Sequence, residues 1–382
     1  MRSDSNTITR YLKPHIVSDL KRKMVFVGGP RQVGKTTMAL DILDIANRRH
    51  PAYLNWDDPH ARKQLLDAEF PGGQSLLVFD EIHKFPRWRN LVKGLYDTQG
   101  DTTSILVTGS ASLDHFRNGG DSLQGRYHYY RLHPFTLNEI SSIPTASDLS
   151  DLLQFGGFPE PLLAGDSRTW RRWQRERVSR VVYDDLRDLE NVREVSLVAL
   201  LAEALPDKVG SPLSINSLAE DLQVAHETVK RWLAILENLN FCFRIIPFGA
   251  PRIRAVKKEA KLYLWDWSQV PGKGERFENL VASHLLKYCH FVEDTMGFTM
   301  ELRFIRDIDR REIDFVVLRD RQPEFAVECK TGSKSTSPSI NYFRERTDIS
   351  ECFQVHLNDR DYFSNGTRVL PFTTFCREKG LP

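Results

Sequence analysis

The sequence predicts an α/β protein of several domains that begins with a parallel β-sheet core. The chain has 382 residues, which at roughly 100–200 residues per domain corresponds to about two or three domains. Hydrophobic residues make up 41% and charged residues 27%, so large cores can form. Over residues 1–140, short apolar runs alternate with helical segments. This alternation is typical of a parallel sheet covered by helices.

A glycine-rich loop follows the first predicted strand. Residues 23–40 read KMVFVGGPRQVGKTTMAL, in which the apolar strand Met24–Val27 leads into the pattern G-x-x-x-x-G-K-[ST] and then a helix. Backbone N–H groups of such a loop surround phosphate oxygens, and the start of the following helix favours negative charge. We expect Lys35 to reach the β- and γ-phosphates of ATP and the Thr36 hydroxyl to bind Mg²⁺. The expected nucleotide-binding residues are Gly29, Pro30, Arg31, Gln32, Val33, Gly34, Lys35, Thr36 and Thr37.

A second apolar run ends in two acidic residues. Residues 75–84 read SLLVFDEIHK, and the consecutive apolar side chains indicate a buried parallel strand. We expect Asp80 to hold Mg²⁺ through its water shell and Glu81 to orient or deprotonate the attacking water. An acid pair at a strand end is otherwise an ordinary solvated feature. The glycine-rich loop upstream favours the catalytic interpretation.

A third apolar run, residues 104–112, ends in polar side chains. Ser110 could contact the γ-phosphate or the attacking water, and capping of the strand end is an equal alternative. Further strands are predicted over residues 52–57 and 125–135. Because ligands of parallel sheets bind at the carboxyl ends of the strands, we expect these motifs to meet at one edge.

The ordered series of motifs resembles a known family. GGPRQVGKTT, LLVFDEIHK, VTGSAS, RLHPFTLNEI and FGGFPEPLL are similar to a prokaryotic family of AAA+-type ATPases. The C-terminal region of that family has long been labelled a domain of unknown function, and the resemblance covers nearly the whole chain. It implies an AAA+-like P-loop ATPase core and a homo-oligomer, with a hexameric ring as one form.

The resemblance also implies an arginine finger that one subunit offers to the nucleotide of its neighbour. Arg126 is the better candidate and Arg131 the second. A finger contributes about 10³–10⁵ in rate. The alternative for either residue is a surface or domain-bridging arginine.

Residues 168–180, RTWRRWQRERVSR, form a basic helix with two interleaved tryptophans. Such a segment could hold phosphates and stack bases. The alternative is a lid helix whose arginines pair with the acids of residues 183–190 or approach the nucleotide.

Residues 211–243 have the pattern of a helix-turn-helix, and the basic segment that follows resembles the hairpin of a winged helix. Arg244 and Lys261 delimit this basic cluster. A winged helix can also serve as a protein-binding module or a structural appendage, so DNA is one of the expected partners. The expected DNA-contacting residues are Lys230, Arg231, Arg252, Arg254, Lys257 and Lys258.

The last part of the chain carries acids on a helix and two strands. Asp314 lies in one predicted strand, Glu328 and Lys330 share a face of the next, and Glu278 lies near the start of a helix. Two carboxylates can share a divalent metal, and a lysine can position water for phosphodiester hydrolysis. The pattern resembles the PD-(D/E)XK nuclease fold, with Ile313 in place of the usual proline. The alternative is a degenerate nuclease fold in which Glu328 and Lys330 form a structural ion pair.

The resemblances extend the predicted fold class to an AAA+-like ATPase core, a helical and winged-helix middle domain, and a C-terminal α/β restriction-endonuclease-like domain. We expect Mg²⁺ to be held by Thr36 and Asp80, and a second metal by Asp314, Glu328 and Glu278. The expected domains are an ATPase core over residues 1–140, a helical lid or linker over 141–205, a winged helix over 206–268 and a nuclease-like domain over 269–382.

Composition excludes several classes of protein. The net charge of +2 gives no case for nucleic acid from the whole chain, so a DNA-binding surface must come from local clustering. The five cysteines include no CxxC pair, which disfavours a disulfide framework or a zinc knuckle, and Cys329 is expected to face away from Glu328 in an apolar setting. No run of about 18 apolar residues occurs. We therefore expect a cytoplasmic protein with no membrane partner.

Two functions remain open at this level. The first is Mg²⁺-dependent ATP hydrolysis coupled to the binding and remodelling of DNA, with branched DNA and DNA cleavage as candidates. The second is a regulatory nucleotide switch whose inactive nuclease fold binds a protein partner. A nucleotide kinase is disfavoured because no acceptor-binding motif is visible.

Overall fold

The computed structural model describes residues 8–45, 48–110, 113, 123–185, 194–249, 259–333 and 335–382, and side chains are not described at 182, 184 and 185. The chain divides into two compact units, residues 1–133 and 134–382. No helix in the described part of the chain is long and apolar enough to cross a membrane.

The first unit is built on a five-stranded sheet in the order β2-β3-β4-β1-β5, with every pairing parallel. The strands predicted from apolar runs are all present; β1 is one residue longer than predicted, and the other four are shorter than their runs. The strands are β1 (Met24–Gly28), β2 (Tyr53–Asn55), β3 (Leu76–Asp80), β4 (Ser104–Thr108) and β5 (Tyr127–Arg131). The helices are α1 (Lys13–Asp19), α2 (Lys35–Ile42), α3 (Pro59–Asp67) and α4 (Trp88–Gln99).

The central position of β1 explains why every one of its residues is buried. Its neighbours β4 and β5 cover both edges, and its apolar side chains pack into the core of the unit. Phe26 stacks on Tyr127 with ring centroids 4.3 Å apart. The register aligns the strand ends, because Val27 pairs with Thr108 and Thr108 pairs with Asp80. The predicted meeting of motifs at one sheet edge is therefore observed.

The second unit begins with helices. Thr145 and Asp148 form a capping box at the start of the second one, and Asp166 caps the fourth. The helices are α5 (Leu137–Ile140), α6 (Ala146–Phe155), α7 (Pro159–Ala164), α8 (Ser167–Ser179), α9 (Val195–Ala204), α10 (Ile215–Leu222) and α11 (His226–Asn238).

The rest of this unit is an eight-stranded mixed sheet in the order β12-β13-β11-β10-β9-β8-β6-β7. The strands are β6 (Cys242–Pro247), β7 (Lys261–Leu264), β8 (Met300–Arg306), β9 (Glu312–Arg319), β10 (Gln322–Cys329), β11 (Cys352–His356), β12 (Tyr362–Ser364) and β13 (Thr367–Pro371). The helices are α12 (Lys273–Met296), α13 (Pro338–Arg344) and α14 (Phe372–Glu378).

One sheet and one core join the two regions expected as separate winged-helix and nuclease-like domains. The β6–β7 hairpin extends the C-terminal sheet, since Ile246 pairs with Arg303 of β8. Trp232 of α11, Phe277 of α12 and Phe315 of β9 belong to the same apolar cluster. The division of residues 134–382 into domains therefore stays a prediction.

Candidate functional site: a nucleotide loop and a buried carboxylate cluster

The glycine-rich loop connects the end of β1 to the start of α2. A side chain at Gly29 is impossible in this backbone, because its φ is +139° and an added Cβ would lie 2.4 Å from the carbonyl oxygen of Leu132. Gly34 caps α2 with a φ of 99°. Arg10, which the sequence did not single out, is buried and donates a 2.5 Å hydrogen bond to the Val33 carbonyl. The backbone at Gly29 thus lies too close to Leu132 for any other residue, and the Arg10 side chain supports the loop at Val33.

Lys35 is the first residue of α2, and its side chain turns back to the loop. Its side chain is buried, and Nζ donates to the carbonyl oxygens of Gly29 at 2.9 Å and Pro30 at 2.7 Å. These are neutral acceptors that phosphate oxygens can replace with stronger, charge-assisted partners.

Asp80 is the centre of a buried hydroxyl network at the carboxyl edge of the sheet. It is 2% exposed. Its Oδ2 accepts hydrogen bonds from Thr36 Oγ1 at 2.8 Å and from the Tyr53 hydroxyl at 2.5 Å, and its Oδ1 accepts from Thr108 Oγ1 at 2.6 Å. Burial raises the pKa of Tyr53, and the charge of Asp80 raises it further, so the hydroxyl stays a donor. A hydroxyl beside a carboxylate is the hard oxygen set that Mg²⁺ prefers, so Thr36 and Asp80 fit this metal.

Glu81 follows in a left-handed conformation with a φ of 55°. Its Oε2 is buried and accepts no hydrogen bond from the described residues, while His83 Nε2 lies 3.6 Å away. Burial raises the pKa of Glu81. An unsatisfied buried carboxylate oxygen costs free energy unless a ligand or water completes it. Glu81 is therefore placed to accept a hydrogen bond from a bound water.

His83 connects Glu81 to Ser110, a link that the sequence did not single out. Its Nε2 lies 3.5 Å from Ser110 Oγ, at the outer limit of a hydrogen bond. Burial, with Lys84 and Lys35 nearby, lowers the pKa of His83 to about 4. The ring is neutral near pH 7 and can align Glu81 without adding charge. The only available signal was its position two residues after Glu81 at a strand end.

The two finger candidates lie at opposite ends of β5. Arg126 precedes the strand, and its side chain pairs with Asp97 of α4, with Nε to Oδ1 at 2.8 Å. Because β5 is parallel to β1, this is the amino edge of the sheet, away from the glycine-rich loop. Arg131 ends the strand and pairs in register with Gly28. Any contact of Arg126 with a nucleotide therefore belongs to another subunit, and its role stays a prediction.

The basic helix α8 separates its arginines into two groups. Arg177 is buried, with its guanidinium 4.4 Å from the centroid of the Phe158 ring. Trp173 is 1% exposed, and Trp170 donates through Nε1 to Ser268 at 2.9 Å. Stacking of a base on Trp173 is therefore excluded, because its ring is buried, whereas Trp170 is half-buried with its indole N–H engaged. The exposed group, named here the α8 arginine face, is Arg168, Arg171, Arg172 and Arg175.

Among the described residues, the basic segment after the helix-turn-helix exposes fewer cations than predicted. Lys230 lies 3.6 Å from Glu227 on the exposed side of α11, and Arg231 is exposed. Arg244 pairs with Glu237 at 2.6 Å, and Lys261 is fully buried. These two members of the predicted basic cluster are therefore not available to face DNA. The remaining expected DNA contacts, Arg252, Arg254, Lys257 and Lys258, lie outside the described residues.

The acids of the C-terminal region meet at the β9–β10 hairpin. The register pairs Phe315 with Val327, so Asp314 stands opposite Glu328. Asp314 Oδ2 accepts a 2.8 Å hydrogen bond from the backbone N–H of Cys329, and Lys330 Nζ lies 2.6 Å from Glu328 Oε1. Burial raises the pKa of Glu328, and the nearby Asp314 charge raises it further.

Glu278 of α12 faces the same cluster, but a lysine stands between it and Asp314. Lys261 Nζ lies 3.0 Å from Glu278 Oε1 and 3.6 Å from Asp314 Oδ1, and it also contacts Glu312. No group of three His, Cys, Asp or Glu side chains in the described residues has the arrangement of a metal site. One feature is open to a ligand, since Glu328 Oε2 is buried without a hydrogen bond there. As a set, Asp314, Glu328 and Glu278 do not fit a shared divalent metal.

A cavity of about 610 Å³ borders this cluster. Its walls include Glu278, Cys329, Lys330, Gly210 and Ser211. Cys329 is half-buried and packs against the main apolar core, and it also borders the cavity, so its setting is less apolar than expected.

Comparison with known proteins identifies the domain formed by the first part of the chain. Residues 21–141 match the AAA domain family. These residues form an AAA-type ATPase domain. The AAA domain is followed by matches to two domains of unknown function, DUF8612 over residues 146–270 and DUF4143 over residues 273–375. The matches identify no fold or activity for the region after the AAA domain.

Curated relatives of the chain are themselves uncharacterised. A protein of Methanocaldococcus jannaschii is 23% identical over 337 residues, which cover 79% of this chain and 74% of that protein. A protein of Mycobacterium tuberculosis is 25% identical over 246 residues, covering 64% of this chain and 54% of that protein. Neither name carries an activity.

Solved structures with some similarity include a branch migration motor and a protein in complex with DNA. The Thermotoga maritima RuvB Holliday junction branch migration motor has a TM-score of 0.26 and 17% identity, covering 61% of this chain and 87% of that one. The Aeropyrum pernix ORC1 protein in complex with DNA has a TM-score of 0.33 and 16% identity, covering 71% and 91%. TM-scores this low assign neither a fold nor a function to the AAA domain or to the rest of the chain.

Proposed function

We propose that this chain hydrolyses ATP with Mg²⁺ and couples hydrolysis to the binding and remodelling of DNA. The observation that carries the first part is the pairing of Thr36 with Asp80 at 2.8 Å beside the loop that holds Lys35. Mg²⁺ would be held by these two oxygens and would neutralise charge on the phosphates. The Lys35 ammonium exchanges its loop carbonyls for the β- and γ-phosphates. Glu81 orients the attacking water through its unsatisfied Oε2.

The hydrolysis proposal is tested by two substitutions at separate steps. Lys35→Ala removes the phosphate contact and is expected to abolish turnover. Glu81→Gln keeps the shape of the side chain but weakens its acceptor, so the variant is expected to retain bound ATP. Steady-state phosphate release and nucleotide retention on a desalting column measure the two effects. Wild-type turnover in Lys35→Ala would refute the site.

The α8 arginine face supports the DNA part of the proposal. Its members follow the spacing i, i+3, i+4, i+7, which places them on one side of the helix over about 10 Å. All four are exposed, and Arg171, Arg172 and Arg175 form no ion pair with the described residues. Unpaired arginines on one rigid face fit the phosphates of a DNA backbone. Lys230 and Arg231, with Arg252, Arg254, Lys257 and Lys258, are proposed to extend this contact.

The DNA proposal predicts a salt-dependent affinity that the α8 arginine face sets. Replacing its four arginines by Gln is expected to reduce the slope of log K against log salt concentration by about 3–4. Arg180 is the matched control on the continuation of the helix, because it is exposed but already pairs with Glu176 at 3.0 Å. Fluorescence anisotropy with linear, forked and four-way DNA measures both variants. An unchanged slope in the fourfold variant would place the DNA elsewhere.

We further propose a homo-oligomer, with a hexameric ring as one form, in which Arg126 reaches the nucleotide of a neighbouring subunit. Its Asp97 partner would have to release it on assembly.

The second candidate function is a nucleotide switch whose C-terminal region binds a protein partner and does not cut DNA. The observation that favours it is the position of Lys261 among the carboxylates.

A further inference from the structure

A buried lysine lies at the centre of the C-terminal carboxylate cluster. Lys261 begins β7, and its side chain has no exposed surface. Its Nζ is 3.0 Å from Glu278 Oε1 and 3.6 Å from Asp314 Oδ1, and Glu312 Oε1 also contacts it. A buried ammonium is stable only when opposite charge compensates the loss of its hydration. Helix α12 and strand β9 supply that charge from two sides.

Two of the three carboxylates that contact Lys261 are engaged through their second oxygen as well. Arg306 lies 3.0 Å from Glu312 Oε2, and Asp314 Oδ2 accepts a hydrogen bond from the backbone N–H of Cys329. Tyr263 donates a 2.7 Å hydrogen bond to Glu278 Oε1, the same oxygen that Lys261 contacts, and Lys330 pairs with Glu328. Three cations therefore face four carboxylates and compensate most of their negative charge, and Lys261 itself contacts both Glu278 and Asp314.

Burial lowers the pKa of Lys261, but Glu278, Asp314 and Glu312 outweigh burial, and the pKa lies above its ordinary value. The side chain is therefore charged near neutral pH. A divalent ion shared by Glu278 and Asp314 would need oxygens within about 2.0–2.6 Å of one point. The ammonium already lies between those two carboxylates.

We infer that Lys261 is a built-in counter-ion that takes the place of a divalent metal in this cluster. The cluster then fastens α12 to the sheet and does not activate water for phosphodiester hydrolysis. This inference is independent of ATP hydrolysis, because the residues that carry it all belong to the second unit.

The first test measures metal binding by the wild-type protein. Mn²⁺ is added to nucleotide-free wild type, and to its Asp314→Asn and Glu328→Gln variants, and bound Mn²⁺ is measured by electron paramagnetic resonance. The inference predicts equal binding in all three proteins, and any sites at the AAA domain cancel in the comparison. Binding by the wild type that either variant loses would overturn it.

The second test replaces the lysine itself. Lys261→Met leaves buried carboxylates without their cation, so the melting temperature is expected to fall by about 10 °C. Mn²⁺ at a concentration well above its Kd is expected to restore about 5 °C or more, because it can now occupy the vacated position. The wild type should show no such shift.

Lys287→Met is the matched control for a buried lysine in the same unit. Lys287 Nζ pairs with Glu139 at 2.6 Å and donates to Thr136 Oγ1 at 2.8 Å. This variant should lose stability without rescue by Mn²⁺. A Lys261→Met protein as stable as wild type without metal, or one rescued no better than Lys287→Met, would overturn the inference. If Lys261→Met fails to fold, the comparison of Mn²⁺ binding in the first test decides.

Discussion

The hydroxyl of Tyr53 is predicted to stabilise the AAA domain through a single buried carboxylate. Tyr53→Phe removes the donor that lies 2.5 Å from Asp80 Oδ2 and leaves the ring in place. Asp80 is 2% exposed, so water cannot easily replace the lost donor. A hydrogen bond to a charged group contributes about 1.5–3 kcal/mol. At about 4 °C per kcal/mol, the melting temperature should fall by roughly 6–12 °C.

The matched control for this prediction is Tyr96→Phe in the same unit. The Tyr96 hydroxyl donates to the Arg22 carbonyl at 3.3 Å. This hydrogen bond is exposed to solvent, and its acceptor is a neutral carbonyl. Its loss should lower the melting temperature by no more than about 4 °C. Differential scanning calorimetry of nucleotide-free protein measures both variants. Equal effects of the two substitutions would refute the argument that the buried charge of Asp80 sets the size of the loss.

Three further predictions concern the same unit. Gly29→Ala should prevent ATP binding, since the added methyl would lie 2.4 Å from the Leu132 carbonyl oxygen; wild-type binding by equilibrium dialysis would contradict this. The pKa of His83, about 4 when folded, lies below its unfolded value of about 6.5. Its contribution of at most about 3 kcal/mol is therefore full above pH 6.5 and lost as the pH falls to 4. His83→Gln should flatten that part of the curve of unfolding free energy against pH, and an unchanged curve would exclude the assignment. Arg126→Ala should retain ATP binding but lose hydrolysis, whereas Asp97→Asn, which breaks the same ion pair, should stay active; equal losses in both would show that Arg126 has only a structural role.

Much of the AAA domain could be predicted from short patterns. The pattern from Gly29 to Thr36 predicts phosphate binding, because that function needs backbone N–H groups, a lysine and a hydroxyl at set spacings. Asp80 was found because four apolar residues, three of them buried, precede it in a strand. The network around it was not, since Tyr53 and Thr108 come from neighbouring strands and their hydroxyls reach Asp80 only through the sheet order.

In the second unit, the sequence predicted secondary structure but not the surroundings of the charged and aromatic side chains. The sequence predicted a helix, a turn and a second helix within residues 211–243, where α10 and α11 lie, and it put Asp314 and Glu328 on adjacent strands, because hydrophobic periodicity is a local property. It counted Lys261 among surface cations, and the structure buries that lysine among three carboxylates from distant parts of the chain. It also offered the two tryptophans of α8 as stacking partners, and the structure buries Trp173 and leaves Trp170 half-buried.

The sequence by itself predicted which residues would bind phosphate, because that chemistry depends on residue type and close spacing. The tertiary structure decided which charges stay exposed and which are paired. The physical reason is that a charge is compensated by whatever side chain the fold brings within a few ångströms, and strand order and helix packing set that neighbour. The α8 arginine face and Lys261 are both cationic in sequence, and only their surroundings separate a surface that can bind phosphates from a buried counter-ion.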